Sequence, residues 1–204
     1  MKIAIVDYGM GNIKSITSTL NFLGVEKVLV TKEFNELEQA DKLLLPGVGS
    51  FAKAMSQITE YKIDLKLYDL VKIKRKPILG ICLGMQLLCN SSTEDGYNKG
   101  LALINADVTK FDEQLSIKIP HVGFNQVKTN VTSKLFKDIN DNSDFYFTHS
   151  YKVSTNDDIN QSICHYGENF VSAFEIENIY ATQFHPELSQ NNGLQLLRNF
   201  LNIL

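Results

Sequence analysis

Apolar positions in the first half of the chain come in short unbroken runs, and segments with helical spacing lie between them. Lys2 to Asp7 encloses Ile3-Ala4-Ile5-Val6, a run that predicts a strand buried on both faces. Gly9 and Gly11 predict a turn, and Ile13, Ile16, Leu20 and Leu23 then recur at helical spacing. Val28 to Thr31 and Asp41 to Leu45 predict two further strands, the second stopped by Pro46-Gly47. A helical region falls within Phe51 to Ile73, a buried strand at Pro77 to Ile81, and a helix beginning over Met85 to Cys89. Strands that are apolar throughout and alternate with helices imply a parallel sheet covered on both faces.

From Leu101 onward the apolar runs shorten, as in Ala106-Asp107-Val108, Ser116 to Ile119 and Asp144 to Thr148, and Gly, Asn and Asp punctuate them. This predicts antiparallel strands laid against one edge of the parallel sheet. A last helix is expected from about Gly193 to Leu204, with Leu194, Leu197, Leu201 and Leu204 on its apolar face and Leu196 and Phe200 widening it. With no repeat or linker, one α/β domain with a mixed sheet is expected over residues 1–204.

Length and charge narrow the function classes. The 204 residues suffice for one sizeable core, and 44% apolar with 21% charged residues is ordinary for a globular chain. A net charge of -3 gives no electrostatic reason to expect nucleic acid or an anionic membrane surface. The apolar start ends at Asp7, too early for a signal peptide, and no run reaches transmembrane length. Cys82, Cys89 and Cys164 are an odd number without a CxxC pair, which argues against a disulfide framework or a zinc site and favours a reducing cytoplasm.

The sharpest chemical signal is Gly80-Ile81-Cys82-Leu83-Gly84, where a buried strand runs into a helix. This is the pattern of a nucleophile elbow with Cys in place of Ser. Small neighbours permit the tight turn, and a helix N-terminus favours thiolate over thiol. The backbone N–H of Leu83 can face a developing oxyanion. A free Cys is more often a small buried hydrophobe, which is the reading for Cys89 and Cys164. For Cys82 a second segment weighs against it: strand Ile179 to Phe184 leads into His185-Pro186-Glu187. A thiol nucleophile needs a base and the base an orienting group. On an extended backbone, with Pro186 excluding a helix, His185 and Glu187 would point to the same side. His121, His149 and His165 have no partner at metal-ligand spacing; a ligand-proximal loop and a structural histidine are both open for His149.

Together these segments resemble the class I (triad) glutamine amidotransferases, and within them the HisH-type glutaminase subunits of imidazole glycerol phosphate synthase. The likeness runs nearly end to end and includes Asp7-Tyr8-Gly9-Met10-Gly11-Asn12, Pro46-Gly47-Val48-Gly49-Ser50-Phe51, Pro120-His121-Val122-Gly123-Phe124-Asn125 and Phe145 to Tyr151. The resemblance implies a flavodoxin-like, mainly parallel sheet with an antiparallel extension. It implies Cys82 as nucleophile, His185 as base and Glu187 as its orienting group. Gly47-Val48-Gly49 with Leu83 would form the oxyanion site, and Gln86 and Glu94, with the backbone around His149, Ser150 and Tyr151, would hold glutamine. A carboxylate at Glu94 suits a free α-ammonium group.

No cofactor or metal is implied. The partner implied is a (β/α)₈ barrel cyclase of the HisF type, docked on a face that includes Asn12, His121, Phe124 and Leu188, receiving ammonia for imidazole glycerol phosphate and an aminoimidazole carboxamide ribotide. Phe124 stands where the family usually has Trp, Leu188 where it has Lys, and Ser15 where it often has Asn. These departures keep open a paralogue that supplies ammonia for amidation of a nucleotide sugar. Two other classes remain to be weighed: a peptidase or hydrolase on the same elbow, and a module that only binds a partner.

Overall fold

The computed structural model describes residues 1–203. Its strands and helices run β1 (Lys2–Val6), α1 (Ile13–Phe22), β2 (Lys27–Thr31), α2 (Phe34–Gln39), β3 (Lys42–Leu45), α3 (Phe51–Glu60), α4 (Ile63–Tyr68), β4 (Ile78–Ile81) and α5 (Leu83–Leu87). The chain continues through β5 (Ser91–Ser92), β6 (Asn98–Lys99), β7 (Asp107–Lys110), β8 (His121–Lys128), β9 (Ser143–His149), β10 (Tyr151–Ser154), β11 (Ser162–Tyr166), β12 (Glu168–Ile176), β13 (Ile179–Thr182) and α6 (Gln190–Asn202). A π-helical turn, Asp69–Ile73, prolongs α4, and a 3₁₀ turn, Pro186–Leu188, precedes α6.

The sheet order is β2-β1-β3-β4-β13-β12-β10-β7-β5-β6, and the pairs from β2 to β13 are parallel. That half has the order of a flavodoxin-like sheet. From β13 onward the pairing with β12, β10 and β7 is antiparallel, and β8, β9 and β11 form a further antiparallel flap joined through β12. The expected mixed sheet with an antiparallel extension is therefore observed.

Alternation along each parallel strand divides the core between two faces. Ile3, Ile5, Leu44, Leu79 and Ile81 pack with Ile16 and Leu20 of α1 and Leu196, Leu197 and Phe200 of α6. Ala4, Val6, Leu43, Leu45 and Ile78 pack on the opposite face with Leu37, Phe51, Ala54, Ile58 and Leu67. Each Val, Leu, Ile or Phe side chain among them, once fully buried, contributes about 1.5–3 kcal/mol.

Several expectations need correction. Ser116 to Ile119 is a loop, not a strand: Ile117 and Ile119 lean on the core, and the Tyr166 hydroxyl donates to the Lys118 carbonyl at 2.7 Å. The helix expected to begin over Met85 to Cys89 starts at Leu83, immediately after Cys82, and ends at Leu87. Leu196 and Phe200 are at the centre of the buried face of α6, whereas Leu194 is only half-buried; Leu204 lies outside the described residues. Helix α2, short and acidic around a single buried Leu37, was not anticipated.

Candidate active site

Three loops meet at the carboxyl edge of the parallel sheet because their strands are neighbours. β4 lies between β3 and β13, so Pro46-Gly47-Val48, Cys82 and His185 all emerge on one side. The Cys82 amide donates to the Thr182 carbonyl at 2.8 Å, which extends the β4–β13 register into the elbow. Cys82 has φ 54° and ψ −110°. A non-glycine residue there costs about 1–3 kcal/mol and persists only where its surroundings force it. The force comes from packing: a Cβ on Gly84 would stand 1.7 Å from the Leu45 carbonyl oxygen, and one on Gly80 would stand 2.9 Å from the Gly84 backbone. Only glycine lets α5 press against β3 and β4 so closely. Because α5 has five residues, its macrodipole is weaker than a long helix would supply. The orphan amides of its first turn remain as donors.

His185 is buried, and its Nδ1 pairs with Glu187 Oε1 at 2.9 Å. The Glu187 side chain is 0% exposed. The extended backbone expected for this pair is not what joins them. His185 itself is extended, but Pro186 opens a 3₁₀ turn that curls Glu187 back under the imidazole. Proline's fixed φ suits the first position of such a turn. The Ser189 hydroxyl donates to the His185 carbonyl at 2.6 Å and accepts from the Tyr146 amide at 2.9 Å, locking the turn to β9. Burial opposes the imidazolium, but Cys82 and Glu187 outweigh it and raise the His185 pKa to about 10. Nε2 is buried without a hydrogen bond of standard geometry. Cys82 thus acts on the ring as a near electrostatic neighbour, and catalytic contacts of this kind often tighten only with substrate.

A cavity of about 270 Å³ opens at Cys82, lined by Val48, Gly49, Leu83, Gln86, Glu94, Pro120 and Thr148 to Tyr151. The residues expected around glutamine converge on it. Gln86 Nε2 donates to the Tyr151 carbonyl and to Gln183 Oε1, both at 3.0 Å. Glu94 Oε2 accepts the Phe51 amide at 2.7 Å. Burial raises the pKa of Glu94, the Phe51 hydrogen bond opposes that rise, and Asp95 adds to it. An incoming cation would oppose that rise and favour the carboxylate. His149 lines the cavity, and its ring lies against Phe111 and Phe170, with centroids 5.3 and 5.1 Å away.

Sequence reasoning gave no role to Gln183, whose Nε2 stands 3.8 Å from the Cys82 sulfur and which is fully buried. A lone amide inside the apolar run Ile179 to Phe184 was the available signal. Tyr8 was also passed over. It is buried, its hydroxyl donates to the Pro46 carbonyl at 2.6 Å, and burial followed by the neighbouring Cys82 pushes its phenol well above the usual range.

Of the residues expected at a docking face, Phe124 and Leu188 are exposed at 50% and 39%, and Asn12 is half-buried. His121 does not belong with them. It points to the inner face of β8, stacked on Tyr166 at 4.0 Å, and only 3% of it is exposed. The period of two along β8 sends its neighbour Val122 outward instead. Among the described residues no cluster of His, Cys, Asp or Glu could hold a metal ion, and no helix is long and apolar enough to cross a membrane.

The family profile described as "Glutamine amidotransferase class-I" matches residues 4–204. The chain belongs to this family. Among class I glutamine amidotransferases it is 44% identical to imidazole glycerol phosphate synthase subunit HisH 1 of Campylobacter jejuni, over 97% of this chain and 98% of that one. It is 40% identical to subunit HisH of Aquifex aeolicus, over 98% of this chain and 96% of that one. Solved structures agree on the fold: PurLQS from Thermotoga maritima superposes with a TM-score of 0.74 at 16% identity, covering 98% of this chain and 97% of that one. The glutaminase domain of Trypanosoma brucei CTPS, solved with bound acivicin, gives 0.66 at 17% identity, covering 98% and 94%.

Proposed function

We propose that this amidotransferase hydrolyses glutamine through a thioester on Cys82 and hands the ammonia to a partner subunit of imidazole glycerol phosphate synthase. The observation that carries the reading is that Cys82, at the cavity, has the buried His185–Glu187 pair as its neighbour although Cys82 and His185 follow separate strands. His185 takes the Cys82 thiol proton, the sulfur attacks the side-chain amide carbon, and the oxygen takes negative charge. The Leu83 amide and the Gly47-Val48-Gly49 loop stabilise it, because donors aimed at developing charge act where the transition state needs them. His185 protonates the amine, the C–N bond breaks, and ammonia leaves. Water then adds to the thioester, His185 takes its proton, and glutamate departs as the thiol is restored. Glu187 fixes the imidazole tautomer and offsets its charge. Gln86, Glu94 and the backbone of His149, Ser150 and Tyr151 hold the substrate, with Glu94 receiving the α-ammonium group.

Ammonia released to water would be wasted, so a synthase subunit working beside it is expected. The HisH names of the relatives support a partner in the synthase complex and favour histidine biosynthesis over nucleotide-sugar amidation. A (β/α)₈ cyclase of the HisF type is the partner we infer, seated on the face that carries Asn12, Val122, Phe124 and Leu188. Phe124 offers that face an aromatic surface, and Leu188 offers no cation to a partner carboxylate. The hydrolase reading has no use for a carboxylate at Glu94 beside an amide-lined cavity.

In the reconstituted complex, Cys82→Ala should abolish glutamine-dependent synthesis and leave synthesis from added ammonia intact. Glutamine hydrolysis at the normal rate by that variant would end the assignment.

A further inference from the structure

Behind the cavity wall a chain of hydrogen bonds crosses from β8 to Tyr151. Asn125 Nδ2 meets His121 Nε2 at 3.3 Å, His121 Nδ1 meets His149 Nε2 at 3.1 Å, and His149 Nδ1 meets the Tyr151 carbonyl at 2.8 Å. Its polarity is fixed from both ends. The Asn125 oxygen accepts from the Gln126 amide at 2.8 Å and its Nδ2 also donates to the His165 carbonyl at 3.0 Å, so Nδ2 can only donate to His121 Nε2. Tyr151 ends the chain in a carbonyl, which can only accept. Both imidazoles must therefore be neutral and carry the proton on Nδ1, since the bond made by one ring nitrogen dictates the state of the other. The surroundings suit neutral rings: His121 lies between Tyr166 at 4.0 Å and Phe147 at 4.8 Å, and burial holds its pKa down to about 4 and that of His149 to about 3.

The Tyr151 carbonyl at the end of this chain also receives Gln86 Nε2, and both residues line the cavity. We propose that His121 is a positioning residue for the glutamine pocket: its Nδ1–H holds His149 Nε2, keeps that ring oriented with its own Nδ1–H on the Tyr151 carbonyl, and thereby fixes the 149–151 wall. This rests on the glutaminase reading given above. Without the His121 donor, His149 Nε2 becomes a buried acceptor with no partner. The ring regains a partner for that nitrogen only by turning, and a turn takes the Nδ1–H away from the Tyr151 carbonyl.

The test uses the full chain with ¹⁵N-labelled histidine and a diazoketone analogue of glutamine that alkylates Cys82. The wild type should show His121 and His149 both as Nδ1–H tautomers in imidazole ¹⁵N spectra, recorded without ligand. His121→Phe keeps a ring for the stack on Tyr166 and removes the donor. The His149 ring ¹⁵N shifts should move as Nε2 loses its donor and the ring turns, and the analogue concentration for half-maximal labelling rate should rise about tenfold, the effect of one lost hydrogen bond. The limiting labelling rate should stay within about twofold, because the reacting atoms are untouched. His121→Asn, whose amide nitrogen falls near the position of Nδ1, should restore both readouts, which a loss of packing alone would not allow. An Nε2–H tautomer at His149 in the wild type overturns the proposal, as does failure of His121→Asn to restore. An unchanged half-maximal concentration in His121→Phe overturns the positioning role while the glutaminase reading stands. Absence of labelling in the wild type overturns the glutaminase reading, and the positioning role with it.

Discussion

Replacing Glu187 by Gln removes a charge and almost nothing else. In the structure one carboxylate oxygen accepts from His185 Nδ1 at 2.9 Å, and the other, Oε2, is buried without a partner. A glutamine that keeps the first contact places its NH₂ where Oε2 stood, with nothing to receive it. The hydrogen bond to the imidazolium also falls from charge-assisted to neutral, a loss of about half of about 1.5–3 kcal/mol. Solvent does not screen this site, because the Glu187 side chain is 0% exposed. Taking about 1.5 kcal/mol for the lost charge gives a turnover reduced about tenfold, since 1.4 kcal/mol is a factor of ten. Glu187→Ala loses the bond outright and should fall about a hundredfold. The assay is glutamate release at saturating glutamine, with the half-saturation concentration expected to hold because Glu187 does not line the cavity. If Glu187→Gln kept turnover within twofold of the wild type, the carboxylate would not be orienting or stabilising His185 and the triad would reduce to a dyad.

Gly84→Ala would put a methyl group 1.7 Å from the Leu45 carbonyl oxygen; β3 or α5 must move, and we expect a loss of about 3 kcal/mol in urea unfolding together with loss of Cys82 labelling. His121 and His149, with pKa values lowered to about 4 and about 3, bind fewer protons folded than unfolded once pH falls below about 6.5. Stability should therefore drop as pH is lowered through that window, by about 2–3 kcal/mol per pH unit near pH 5, and His121→Asn should remove about half of that slope; a urea midpoint with the wild-type pH dependence in the variant would contradict it.

The parallel half was legible because each of its strands is a continuous apolar run whose neighbours are short and helical in spacing. The elbow was legible because only glycine fits at Gly84, so a local pattern records a long-range contact with β3. The antiparallel flap was harder. β8 alternates buried and exposed residues around polar His121, Asn125 and Gln126, and its hydrogen-bonded interior carries no apolar signature. Ser116 to Ile119 misled for the opposite reason: its alternation is real, yet those residues lean on the core as a loop without a strand beside them. The spacing of His185 and Glu187 suggests the contact but not its geometry, because Pro186 both excludes a helix and starts a 3₁₀ turn. The His121–His149 chain was not legible, because twenty-eight residues separate two histidines that only the β8–β9 register brings opposite each other.

Strand β13 joins the two halves of the sheet, pairing with β4 on one side and β12 on the other. It is made of residues Ile179–Thr182, roughly a hundred positions after the cysteine it helps to hold. During synthesis the parallel strands β1 to β4 leave the ribosome first, with the place beside β4 empty and no base near Cys82. The reactive sulfur thus remains without its imidazole until the strand that closes the sheet has been made. A stalled or truncated product lacking residues 179–187 would carry the nucleophile without the means to release ammonia.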